Sequence, residues 1–104
     1  MTTNVRTKNN FAFRKDLKNL RKRSVNLNKL DFVLTKLLSG EVLEERYKDH
    51  ALIGNYIGFR ECHNEPDFLL IYCIDNNKLI LTAVRAGSHS DLFLKKRASS
   101  SLNL

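Results

Sequence analysis

FLLIYCI, residues 68–74, decides the fold: an uncharged run that is apolar on both faces of an extended chain. A short continuous apolar run bounded by turn signals reads as a strand buried on both sides, the central strand of a sheet. Asn64-Glu65-Pro66 breaks the chain before it, and Asn76-Asn77 after it suits a tight hairpin turn because Asn tolerates positive φ. Working outward, residues 56–63 read as the preceding strand and 79–85 (LILTAVR) as the following one, with a weaker strand around 3–7. Three consecutive strands joined by short turns make an antiparallel meander.

Ahead of the meander the period changes. In FAFRKDLKNLRKR (11–23), Phe13, Leu17 and Leu20 recur at helical spacing, and Arg14, Lys15, Lys18, Arg21 and Lys22 fill the remaining arc. Ser24 to Asn26 interrupt the pattern, since small polar side chains compete for backbone hydrogen bonds. A second helix follows from about Leu27 to Ser39, with Leu27, Leu30, Leu34, Leu37 and Leu38 as its stripe and Gly40 as its stop. The short connection predicts an antiparallel helical hairpin. The fold class expected is therefore α+β: a helical hairpin on a small, mainly antiparallel sheet. Residues 1–93 read as one domain, and 94–104, which lack periodicity, as a flexible C-terminal tail.

At 104 residues with 42% hydrophobic content, the chain suits a single modest core. No apolar run approaches the roughly 20 residues of a membrane helix. The N-terminus lacks the apolar stretch of a secretory signal, so a cytoplasmic protein with no membrane partner is expected. Cys62 and Cys73 lack the spacing of a disulfide framework or zinc knuckle. Charge is uneven: residues 1–30 carry nine Lys/Arg against one Asp, whereas 31–94 carry six against ten acids. A basic segment on an acidic body points to phosphates as the partner, the plainer alternative being a solvated helix face.

All three histidines lie in the sheet region, in KDHAL (48–52), RECHNEPD (60–67) and GSHSDLF (87–93). Histidine titrates near neutrality and is the usual proton carrier. Strand alternation puts Glu61 and His63 on one face, with Ile57 and Phe59 behind them. If the loop is 64–66, Asp67 stands directly opposite His63, about 5 Å away between Cβ atoms. Such a set suits RNA cleavage by the ribose 2′-hydroxyl, which needs a base, an acid and a cation but no metal or other cofactor. Metal binding is the competing use of His and Asp/Glu, but Glu-x-His alone is a poor metal signature. Arg85 could clamp a phosphate or snorkel from its strand end. Phe93 could stack on a base or cap the core.

Four ordered motifs make the pattern specific: FRKDL (13–17), YKDHAL (47–52), RECHNEPD (60–67) and GSHSDLF (87–93). Together they resemble the YafQ type of bacterial RelE-superfamily toxin over roughly residues 11–93. The resemblance implies a RelE/ParE-like fold. It also implies an endoribonuclease (mRNA interferase) that enters the ribosomal A site, cuts the bound mRNA and so inhibits translation. A cognate RelB/DinJ-like antitoxin would neutralise it. By the same resemblance His50, His63, Asp67 and His89 fall on catalytic positions and Phe93 on a substrate-contacting aromatic; Glu61 and Arg85 are read from their placement as further substrate contacts. His50 is read as general base and His89 as general acid, with His63 and Asp67 positioning and neutralising. Arg14, Lys15, Lys18, Arg21 and Lys22 become a surface for ribosomal RNA. Glu61 stands where many relatives have Asp, and Phe68 where several have Trp. A non-catalytic ParE-like toxin that blocks its target is the alternative.

Overall fold

Asn10 starts α1 (Phe11–Lys22) by accepting the Phe13 backbone N–H at 2.8 Å in the computed structural model, which describes residues 6–75 and 80–94. Ser24, at φ 60, takes the left-handed conformation that ends this helix. The Asn26 side chain then accepts the Asn28 N–H at 2.8 Å, and α2 (Asn28–Leu38) follows. Gly40 closes α2 at φ 80, a position where a Cβ would be strained. Phe13 and Leu20 of α1 and Leu30 and Leu37 of α2 are buried, as their spacing predicts; Val33, outside the expected stripe, is buried with them, while Leu17, Leu27, Leu34 and Leu38 are only partly covered.

Five strands form one sheet: β1 (Arg6–Asn9), β2 (His50–Ala51), β3 (Arg60–Glu65), β4 (Phe68–Asp75) and β5 (Ile80–Gly87), in the order β1-β5-β4-β3-β2. β1 runs parallel to β5 and every other pair is antiparallel. The expected α+β class with a mainly antiparallel sheet is thus observed, and β4 is its central strand, with Phe68 to Tyr72 all buried. α1 lies along β5, while α2 reaches β3. The turn expected at Asn76-Asn77 and the tail after Leu94 lie outside the described residues, as does the start of the strand expected at 3–7.

The strand expected over 56–63 is shorter and later than its apolar content implies. Gly54 (φ 69) and Gly58 (φ 94) bend the chain, with a tight helical turn at Gly54–Tyr56, and β3 begins only at Arg60. Ile57 is therefore exposed in a loop and does not line up behind Glu61. The β3–β4 connection also differs. Glu65 pairs with Phe68 and His63 with Leu69, so the turn is Pro66-Asp67, and the chain bulges at Asn64. Asp67 is consequently at the tip of the turn and not opposite His63.

The sheet has two unequal faces. Cys62, Leu70, Tyr72, Leu81 and Ala83 pack under the helices in the main core. On the other face Leu69, Ile71 and Leu92 form a small cluster bordered by Leu52, Tyr56, Phe59, Val84 and Phe93. Among the described residues neither α1 nor α2 contributes to this second cluster, which leaves the face open for chemistry.

Candidate active site

Strand register assembles the site. His50 of β2 pairs with Glu61 of β3, Glu61 with Ile71 of β4, and Ile71 with Arg85 of β5. Directly opposed residues share a face, so these four form one row across the open face. His63, Leu69 and Gly87 form the next row. The chain then turns through Ser88 and His89 into Ser90–Leu94, which brings Phe93 back over the sheet.

Glu61 is the buried hinge of this arrangement, only 6% exposed. Its Oε1 lies 3.4 Å from His50 Nε2 and 3.8 Å from His63 Nε2. The opposite ring nitrogens face carbonyls: His50 Nδ1 is 2.6 Å from the Lys48 oxygen and His63 Nδ1 3.3 Å from the Pro66 oxygen. A carbonyl only accepts, so Nδ1–H donates in both rings and Nε2 is the nitrogen free to exchange a proton. A protonated ring presents N–H to Glu61, whereas a neutral ring presents a lone pair. The carboxylate therefore complements the site while one imidazole is charged.

His89 is held from the other end. The Asp67 Oδ1 accepts both its backbone N–H at 2.9 Å and its Nδ1–H at 2.8 Å. Those two hydrogen bonds, the backbone one first, hold the Asp67 carboxyl below its ordinary range. Ring centroids run in series: His50 to His63 at 6.5 Å, His63 to His89 at 5.9 Å, and His89 to Phe93 at 6.3 Å. The outer side chains are the accessible ones, His50 at 49% and His89 at 52% against 17% for His63. Phe93 is half-buried on Leu69, Ile71 and Leu92, with Tyr56 edge-on at 6.2 Å, so it caps the small core while bordering His89.

Arg85 is engaged by a residue of α1 that its place at a strand end did not point to. Its Nε and Nη2 donate to the two Asp16 oxygens at 2.7 and 3.1 Å, and Asp16 also accepts the Ala86 backbone N–H at 2.9 Å. This bidentate pair ties α1 to β5 beside the site. Arg14, Lys15, Lys18, Arg21 and Lys22 are all exposed on the outer arc of α1.

Several positioning residues carried no signal of their own in the sequence. Asp49 Oδ1 accepts the Tyr72 hydroxyl at 2.6 Å and Arg60 Nε at 3.2 Å, clamping the segment that delivers His50. Burial and this bond push the Tyr72 phenol up. Asp49 lay within the quoted YKDHAL block, but nothing there pointed to a partner more than twenty residues away. Asp91 organises the His89 turn: it accepts the Ser88 N–H at 3.0 Å and pairs with Arg23 at 2.8 Å. Burial alone would raise the Asp91 carboxyl. The Arg23 guanidinium and the Ser88 N–H outweigh burial and hold it at about 2, against an ordinary 3.8. A depressed carboxyl stabilises the fold above pH 3.8 and loses that contribution as pH falls towards 2. Arg23 is half-exposed, so the expected loss is about 1–2 kcal/mol. Denaturant unfolding between pH 4 and pH 2 checks this, and Arg23→Ala should flatten the dependence.

The chain has counterparts among known proteins in both sequence and fold. A family model described as the bacterial toxin of type II toxin–antitoxin systems, YafQ, matches residues 5–94. The chain belongs to the YafQ toxin family. The mRNA interferase toxin YafQ of Escherichia coli (strain K12) is 39% identical over 82 residues, covering 78% of this chain and 87% of that protein. YafQ in the crystallised E. coli DinJ–YafQ toxin–antitoxin complex superposes with a TM-score of 0.78 at 36% identity, covering 88% of this chain and 99% of its own. A metal-bound toxin from Helicobacter pylori gives a TM-score of 0.79 at 43% identity, covering 86% and 99%. For this YafQ-family chain, no cluster of three or more His, Cys, Asp or Glu among the described residues is placed to hold a metal ion.

Proposed function

We propose that this chain is a ribosome-dependent mRNA interferase that cuts mRNA in the ribosomal A site by acid–base chemistry without a metal. The observation that supports the proposal is the series of three imidazoles on one open sheet face, with the Lys48 and Pro66 carbonyls and the Asp67 carboxylate engaging the Nδ1 atoms and leaving Nε2 to exchange protons. In this reading His50 Nε2 removes the proton from a ribose 2′-hydroxyl. The 2′ oxygen attacks the adjacent phosphorus, the bond from phosphorus to the 5′ oxygen breaks, and His89 Nε2–H protonates that leaving oxygen. The products are a 2′,3′-cyclic phosphate and a 5′-hydroxyl. Each proton transfer is worth about 10²–10⁴-fold. His63, with Glu61 as its counter-charge, holds positive charge beside the phosphate, and Arg85, braced by Asp16, supplies a fixed cation. Phe93 offers its ring edge to a base next to His89.

The cationic arc of α1 supplies contacts to ribosomal RNA phosphates, which need no sequence reading. A DinJ/RelB-like antitoxin is the expected inhibitor, supported by the DinJ complex of the E. coli relative. Among the described residues no helix is long and apolar enough to cross a membrane, and action on ribosomes places the chain in the cytoplasm. Primer extension on mRNA incubated with ribosomes tests the reading: cleavage at fixed positions within codons is expected. Intact mRNA with arrested growth would instead favour the non-catalytic, ParE-like alternative. Because the H. pylori neighbour is metal-bound, a second arm is needed. Adding a chelator selective for transition metals, with Mg²⁺ retained for the ribosomes, should leave the cleavage rate unchanged.

A further inference from the structure

A pocket on the flank of the histidine series has no role in the chemistry above. It is lined by three cations, Lys29 of α2 with Arg46 and Lys48, by Tyr47, and by the hairpin residues 63–66, of which Glu65 is the single acid. Asn64 is the bulged residue of β3 and is 4% exposed, yet neither its amide nitrogen nor its amide oxygen has a partner among the described residues. Leaving such a group unpaired is costly, and native proteins rarely do so without a use. Valine or leucine would fill the site without that penalty.

The pocket's charge and continuation narrow its occupant. Lys29 and Lys48 form no ion pair among the described residues, and Arg46 is shared between Glu44 at 3.0 Å and the Tyr47 hydroxyl at 2.9 Å. Past Lys29, Arg46 and Tyr47 the groove continues to Phe32, a residue 50% exposed whose ring lies 6.3 Å from that of Tyr47. Cations alternating with an accessible aromatic are the usual lining of a single-stranded nucleic-acid track. An amide that both donates and accepts matches the edge of a base, above all the N6/N7 edge of adenine. His63 lines this pocket and also stands between His50 and His89, so a strand seated here enters the cleavage site directly.

We propose that the groove from His63 to Phe32 is a substrate subsite holding the nucleotide beside the cut, with the Asn64 amide reading its base and Lys29 and Lys48 on its phosphates. The proposal rests on the ribonuclease reading and adds a specificity-determining residue to it. The test maps cleavage positions on ribosome-bound mRNA for the full chain and for Asn64→Val, Lys29→Ala and Phe32→Ala. Asn64→Val should melt no lower than the parent, redistribute cleavage among codons, and raise KM about tenfold at the parent's preferred codons with kcat less affected. Lys29→Ala should raise KM uniformly across codons. An unchanged cleavage pattern and KM in folded Asn64→Val would overturn the proposal, the amide then being merely strained. So would variants that weaken only an antitoxin, which would make the groove a protein-docking surface. A separate arm uses fluorescence anisotropy with a short 2′-deoxy-substituted oligoribonucleotide. If the parent leaves mRNA intact the ribonuclease reading fails, but weaker oligonucleotide binding by Asn64→Val would still support the groove, and equal binding would reject it.

Discussion

His89→Ala is expected to lower mRNA cleavage by about 10²–10⁴-fold, the weight of one positioned proton transfer. The ring is half-exposed and its only direct hydrogen-bond partner among the described residues is the exposed Asp67 carboxylate, so the described fold does not depend on it. Melting temperature should stay within a few degrees of the parent. Asp67→Asn makes an informative companion. It keeps an oxygen that accepts the His89 backbone N–H but removes the charge that steadies the ring, so a smaller loss of roughly tenfold is expected. Primer extension with ribosomes ranks the three proteins. Parent-like cleavage by His89→Ala would remove His89 from the chemistry and leave His50 and His63 as the only histidines to exchange protons.

Gly87→Ala should be nearly as damaging, for a steric reason. A Cβ at Gly87 would sit 2.9 Å from the Asp91 Cβ and 2.9 Å from its Oδ2. Those are not the loose end of a flexible chain, because Asp91 is anchored by Arg23 and the Ser88 N–H. Either Asp91 or the strand end must move, and with it the turn that presents His89. Overpacking of this kind costs about 1–3 kcal/mol. Displacing a catalytic group by about 1 Å can cost about 10²-fold in rate. Thermal melts and cleavage assays together check both, and a parent-like rate would show that the His89 turn tolerates the shift. Gly87→Ala differs from His89→Ala in destabilising the protein as well.

The histidine set was legible early because it needs only residue type and block position. Glu61 and His63 sharing a face followed from alternation, and that holds in β3. Two local inferences failed for one reason. Gly54 and Gly58 bent what apolar content alone suggested was strand, and the bulge at Asn64 moved Asp67 into the turn. Periodicity registers side chains and is blind to backbone conformation, so a single inserted residue passes unseen. Asp67 still entered the site, but by reaching His89 across the hairpin end and not His63 across the ladder.

Arg85 illustrates a second limit. Its position at a strand end allowed a clamp or a snorkel, while its actual partner, Asp16, lies sixty-nine residues earlier on α1. Asp49 with Tyr72 and Asp91 with Arg23 are of the same kind. Polar pairs between distant segments leave no period in either one.

The sequence by itself determined the two amphipathic helices, the central strand 68–74, the cationic arc and the grouping of all three histidines in the sheet region, since each is a property of local spacing and residue type. Only the tertiary structure decided the register of β2 on β3, the parallel seat of β1, the Asp67–His89 partnership and the unpartnered Asn64 beside the histidine series. Those depend on which strands meet and in what phase. Packing of the whole chain sets that phase, and no short stretch of sequence encodes it.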